Sequence, residues 1–490
     1  MTHTPDESLH WSGFSFMRTR QAQWLIMFAI CTSLLFIAML QTIGALIMLA
    51  AGAAYFLSLP QSLMLRVAKA TPVLAYPILA LASTLWSEAP AITFRLSLQF
   101  LLTAGLAVVI YRTVPLRTFI SALFAAAFMA CGVGVILGAQ GIAAGHALAG
   151  VAESKNMMAF IASVLVLSSL AITLDSAFPR IFKPAAIGGI AFGVLVLFLA
   201  QSAGAYIGTF LGGIAMIAVR FYQSAPRSVR VVVLAGALLL VPVGLMAQSI
   251  LASEASEFSE DVLGKDSTLT GRTYLWQRAG QYIAEKPIAG HGYGAFWRQG
   301  SLEAEGLWRM YGIPGRSGFN FHNQYLEAGV DLGYAGIITF VLMNLATLAA
   351  LGVRLLRTQS SELPFIAGVY MALLVRTPVE SVMLTQFSIL ATLLFLTVCG
   401  ALYGNETGPV LARASARTKA GLTRQRVSRG LVQQRVTPAA TAEERRKDFV
   451  QFRPEAGLTQ QGVGPSARPR RNLRQSKPRP ARQRRPTDTP

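Results

Sequence analysis

The chain has 490 residues, of which 53% are hydrophobic and only 13% charged, with a mean hydropathy of +0.49. Soluble domains carry roughly 25% charged residues, so a water-soluble fold of this length would lack the polar surface it needs. The net charge of +20 is concentrated: residues 404–490 hold 20 Lys/Arg against 6 Asp/Glu, leaving the first 403 residues at +6.

Recurrent apolar runs of about 20 residues predict an all-α polytopic membrane protein. Residues 1–23 begin MTHTPDESLHWSGF, with no basic start and no small-residue cleavage site, so a short cytoplasmic N-terminus is expected rather than a removable signal peptide. Nine spans follow within 24–251, centred on 24–40, 43–59, 70–86, 96–111, 118–138, 157–174, 184–201, 204–219 and 230–250. The stretches 24–59 and 184–219 are nearly continuous, and Gln41–Thr42 and Gln201–Ser202 divide them. A polar loop covers 252–323, and three more spans lie within 324–403, centred on 333–352, 364–379 and 386–402, giving twelve in all. Cys31, Cys131 and Cys399 sit inside apolar runs without a CxxC neighbour, so neither a disulfide framework nor a metal site is expected.

Short cytoplasmic loops retain Lys and Arg, and this fixes orientation. With both termini inside, the inner loops receive Arg18, Arg20, Arg66, Lys69, Arg112, Arg117, Arg180, Lys183, Arg220, Arg227, Arg230, Arg354 and Arg357, while the short outer loops carry Arg95, Lys155 and Arg376. The 252–323 loop then falls on the outer face, and a polar loop this long is usually functional. The 404–490 tail is rich in Arg, Gln and Pro and reads as a disordered cytoplasmic segment adhering to anionic lipid headgroups. It has no aromatic interleaving for base stacking, so nucleic acid is not an expected partner.

Residues 269–286 predict an amphipathic helix with Arg272 near its start, ended by Pro287. A guanidinium beside free N–H groups suits an anion; the same arginines also suit lipid headgroups. Gly290-His291-Gly292-Tyr293-Gly294 permits tight turns or a close backbone approach. His322 leads into the tenth span, and His322, Leu326, Gly329, Gly333 and Gly336 fall on one helical face. An imidazole there can act as a general base or cap the helix, and Glu327 or Asp331 below could orient it or sit at the mouth of a polar cavity. Arg376 and Glu380 are spaced to pair on one helix face. Trp86-Ser87-Glu88-Ala89-Pro90 with Arg95, and Ser154-Lys155-Asn156, form further outer polar clusters.

These elements resemble the O-antigen ligase and polymerase superfamily of bacterial membrane glycosyltransferases. The resemblance rests on His322-Asn323, nine residues, then Gly333-x-x-Gly336, and on Arg272-Thr273-Tyr274-Leu275. The Pro287 to Gly294 segment and the Trp86 to Arg95 cluster add to it, over roughly residues 20–402. Lys155-Asn156 and Arg376…Glu380-Ser381 look more like the exopolysaccharide-polymerase branch. The resemblance implies a GT-C-like, inverting, metal-independent transferase of the inner membrane, with no cofactor. Its donor would be a glycan on undecaprenyl diphosphate, and its acceptor another lipid-linked glycan or lipid A core. His322 would deprotonate or position the acceptor hydroxyl, and Arg272 would hold the diphosphate. Arg278, Arg316, Asn323, Glu327, Arg376, Glu380, Lys155 and Arg95 would contact substrate. Chain-length-control or export proteins are natural companions of such an enzyme. One departure is Ala203, where many members have a second arginine. The competing classes are a lipid-linked oligosaccharide flippase, which should show two related halves, and an assembly scaffold working through its basic tail.

Overall fold

The computed structural model describes residues 16–152, 154–226, 228–231, 268–316 and 318–404. The ninth expected span, the first part of the polar loop and the tail after residue 404 lie outside the described residues.

Every regular element among the described residues is helical. In chain order they are α1 (Arg20–Leu35), α2 (Ile37–Leu57), α3 (Gln61–Ala68), α4 (Ala75–Ala82), α5 (Pro90–Thr113), α6 (Leu116–Ala143), α7 (Lys155–Leu174), α8 (Phe182–Ala200), α9 (Ala203–Ser224), α10 (Thr268–Glu285), α11 (Leu302–Met310), α12 (Gln324–Arg357), α13 (Leu363–Leu374) and α14 (Ile389–Tyr403). Seven are long and apolar enough to cross a membrane. The stretch Gln61–Leu85, bent by 51°, makes an eighth. The protein is therefore a multi-pass membrane protein.

Both dividing points read from the sequence are backbone breaks. Gln41 has φ +44° inside α2, and Gln201 has φ +52° between α8 and α9. A left-handed residue other than glycine ends a helical run, because its Cβ crowds the neighbouring carbonyl. After Gln41 the chain doubles back: a Cβ at Gly44 would stand 3.1 Å from the Ser33 carbonyl oxygen.

The last spans differ from expectation. Helix α12 starts at Gln324, after the Asn323 side chain accepts hydrogen bonds from the Tyr325 and Leu326 amides. It breaks at Gly333, where φ is +63°. His322 stands outside the helix with φ +50°, so the single glycine-lined face expected from His322 to Gly336 does not form. The expected span 364–379 ends as helix at Leu374, and residues 375–388 run irregularly until Ser388 caps α14.

Residues 286–300 dock on the bundle through the break in α12. Before the break, the Val330 and Asp331 carbonyls accept from the His291 and Gly292 amides, both at 2.9 Å. Beyond it, the Tyr334 and Ala335 amides donate to the Pro287 and Ile288 carbonyls at 2.6 and 3.2 Å. The loop thus satisfies backbone groups that the break leaves without helical partners. Tyr293 then enters the core, stacking on Phe100 at 5.4 Å while its hydroxyl donates to the Leu384 carbonyl. The glycine-rich segment is a splint for a broken helix.

Candidate active site

The loop has its own small core, in which Leu275, Tyr282, Phe296, Trp308 and Phe321 are buried. This core holds α10 against the strand-like run before α12: the Trp276 indole donates to the Phe321 carbonyl at 3.0 Å. Glu327, in the first turn of α12, closes the run by accepting from the Phe321 amide and the Trp297 indole, both at 2.9 Å. His322 follows directly, and its amide donates to the Asn320 side chain at 2.9 Å. Backbone strain on a non-glycine residue persists only where its surroundings over-determine it. Here the Glu327 clamp before His322 and the Asn323 cap after it do so.

The His322 side chain borders a cavity of about 540 Å³. Glu380 and Arg376, from the irregular 375–388 segment, line the same space, 6% and 3% exposed. His322 Nδ1 stands 3.8 Å from Glu380 Oε2. Arg272, in the second turn of α10 and partly exposed, lies close enough for its charge to act on Glu380. The carboxylate nearest the imidazole is therefore Glu380. Of the two carboxylates expected beneath it, Glu327 clamps the backbone and Asp331 accepts from the Gly294 amide at 3.1 Å. Both still face the cavity, beside Trp297. Leu34, Leu35, Ile37 and Ala38, where α1 meets α2, form an apolar wall.

The other expected contacts lie elsewhere. Arg278 is held on its own helix, donating to Gln281 at 2.5 Å and to the Tyr282 hydroxyl at 2.8 Å. Arg316 is exposed, with φ +45° and a 3.3 Å ion pair to Glu305. Arg95 is exposed on α5, outside the cavity wall. Lys155 opens α7, and its neighbours Ser154 and Asn156 line the cavity. Asn323 serves as the helix cap. Trp297 was not singled out by the sequence, because a lone tryptophan has no periodic signal. Its six-residue distance from His291 in the splint is the only pointer available.

The early polar cluster proves to be the loop's anchor. The Glu88 carboxylate accepts from Lys286 Nζ at 2.6 Å and His291 Nδ1 at 2.7 Å, with Arg298 at 3.5 Å. Burial pushes its pKa up, but the Lys286 and His291 bonds and charges outweigh this and hold it at about 2. A lowered carboxylate pKa stabilises the docked state above the ordinary value and loses that contribution as pH falls toward the lowered one. Hydrogen-exchange protection of residues 286–298 should therefore fall between pH 4.5 and about 2. Glu88→Gln should remove that pH dependence and cost about 1 kcal/mol, given a carboxylate one-third exposed. Protection that is flat with pH in the unmodified chain would refute the anchor.

The O-antigen ligase family, Wzy_C, matches residues 188–341, which include α10, the splint and His322. The exopolysaccharide production protein ExoQ of Rhizobium meliloti is 31% identical over 335 residues, covering 66% of this chain and 75% of that protein.

Proposed function

Because the chain belongs to the O-antigen ligase family, in its exopolysaccharide branch, we propose that it is a membrane polymerase, or failing that a ligase, joining lipid-linked glycan units into exopolysaccharide or O-antigen. The observation that carries this reading is the meeting of His322, Arg376 and Glu380 on one cavity with an apolar side wall, with Arg272 close enough for its charge to act on Glu380. The donor is a glycan on undecaprenyl diphosphate. Its lipid lies along the wall of Leu34, Leu35, Ile37 and Ala38, and its sugar reaches the polar end. The acceptor is another lipid-linked glycan or lipid A core, held on the side of Glu327 and Trp297.

The transfer is an inverting displacement. The acceptor hydroxyl oxygen forms a bond to the anomeric carbon, and the bond from that carbon to the phosphate oxygen breaks. The diphosphate leaves as an anion, and the hydroxyl proton passes to the imidazole of His322. With Nδ1 turned toward Glu380, Nε2 is the atom that takes it. Negative charge develops on the leaving group, where Arg272 offsets it, and such a displacement is driven by position and charge without a metal.

The site faces the periplasm in a GT-C-like arrangement of twelve spans in the inner membrane, both termini being cytoplasmic. The Lys/Arg distribution across the loops supports that orientation. The domain limits follow from it: 1–23 inside, 24–251 as nine spans, 252–323 as the periplasmic loop, 324–403 as three spans, and 404–490 as a basic tail on anionic lipid. Chain-length-control or export proteins are the partners this role calls for.

Lipid-linked intermediates in a strain lacking the chain test the reading. Single repeat units should accumulate on the carrier lipid. Full-length chains on the carrier would assign the ligase role instead, and an unchanged pool with normal polymer would refute both.

A further inference from the structure

Arg376 is the most deeply buried charge of the cavity. The residue is 3% exposed, and Nε and Nη1 have no hydrogen-bond partner among the described residues. Its aliphatic stem is pinned: a Cβ at Gly208 of α9 would stand 3.1 and 3.3 Å from Arg376 Cδ and Cγ. Its head lies over the Phe160 ring, 5.1 Å from the centroid. One turn on, Glu380 is its electrostatic partner, the 376–380 turn being closed by the Glu380 amide donating to the Arg376 carbonyl at 2.9 Å. Glu380 also faces His322 and feels Arg272. One carboxylate thus balances two guanidinium groups beside an imidazole.

Burying a guanidinium with two N–H edges unpaired is costly unless an anion completes it. A planar guanidinium matches the oxygens of a phosphate, and Nε and Nη1, on different edges of the head, offer two separate N–H donors to it. Phe160 covers the face of the head, which leaves the rim bearing Nε and Nη1 as the place for a ligand.

We propose that Arg376 is a phosphate receptor of this cavity: its unpartnered Nε and Nη1 donate to separate oxygens of the anionic diphosphate end of the donor, and Glu380 is the counter-charge it shares with His322 while no anion is bound. This rests on the reading that the donor is a lipid diphosphate. When the phosphate pairs with Arg376, Glu380 is left to His322 alone and holds the imidazole Nδ1 side toward itself. Arrival of the donor thereby orients the group that takes the acceptor proton. Glu380 is a positioning residue, acting through His322 and Arg376.

The test uses the full-length purified chain in phosphatidylcholine nanodiscs, with inorganic pyrophosphate as probe and calorimetric titration as readout. The paired substitution R376Q/E380Q removes both charges and leaves no orphaned ion, so folding should be kept, as thermal melting will check. It should weaken pyrophosphate binding at least tenfold. R376K, which keeps the charge and loses the fork, should recover part of that loss. E380Q alone should bind several-fold tighter, since a like charge beside the anion is gone. Unchanged affinity in R376Q/E380Q, or weaker binding in E380Q, would overturn the proposal. Loss of pyrophosphate binding by the unmodified chain in phosphatidylglycerol nanodiscs would assign the site to membrane headgroups and overturn the donor assignment. Arg376-dependent binding in a chain that forms no glycosidic bond would refute the transferase reading and leave the anion site standing.

Discussion

His322→Ala should reduce polymer output by at least about a hundredfold, the scale on which a positioned general base acts, and Arg272→Ala should do the same by removing charge stabilisation of the leaving group. Both proteins should insert and melt as the unmodified chain does. Among the described residues, the His322 imidazole makes only the 3.8 Å approach to Glu380 and an edge contact with Phe319. Its backbone is fixed independently by Asn320 and by the Glu327 clamp. Arg272 sits in the second turn of α10, whose seating depends on Trp276 and the buried Leu275, Ala279 and Ile283. Polymer measured in a strain carrying each variant, against membrane-inserted protein level, decides the matter. Normal polymer from either variant would end its assigned role. The double variant should lose no more than about the worse single one, since groups that act on one displacement are not additive.

Gly290→Ala should destabilise the protein by at least about 2 kcal/mol and abolish polymer output, although Gly290 has no side chain to act in the chemistry. Its φ is +66°, and a Cβ would stand 2.4 Å from the Leu332 amide nitrogen and 2.5 Å from the Asp331 carbonyl. Those are backbone atoms on the broken helix and have no rotamer through which to retreat. Gly333, with φ +63°, is locked the same way, a Cβ there standing 2.5 Å from the Ile288 carbonyl carbon. Losing this contact removes four backbone hydrogen bonds, each contributing about 1 kcal/mol. It also releases the helical turns that carry Glu327 and Asp331. Gly280→Ala is the control: it lies in α10 with open space around its Cβ position, so it should be neutral or slightly stabilising. Melting temperature and polymer yield of the three variants give the comparison. Gly290→Ala with unmodified stability would show that the splint is dispensable.

The sequence by itself determined the class of solvent, the helical character and the helix breaks at Gln41 and Gln201, because apolar run length and its polar interruptions are local quantities. Motif spacing and family resemblance singled out Arg272 and His322 as the proposed site; in the structure His322 borders the cavity and the charge of Arg272 reaches Glu380 beside it. Tertiary structure alone decided which carboxylate stands beside His322. Glu327 and Asp331 are nearest along the chain, yet Glu380 is nearest in space, because α12 starts only after His322 while residues 375–388 stay irregular and fold across it. The GHGYG segment was equally open as a sequence, since glycine permits a turn, a ligand contact or a helix splint. It became a splint only because Gly333 breaks α12 and leaves amides and carbonyls that the loop can pair. Periodicity reports which face of a helix is apolar; it carries no information about where a helix stops short and which distant backbone completes it.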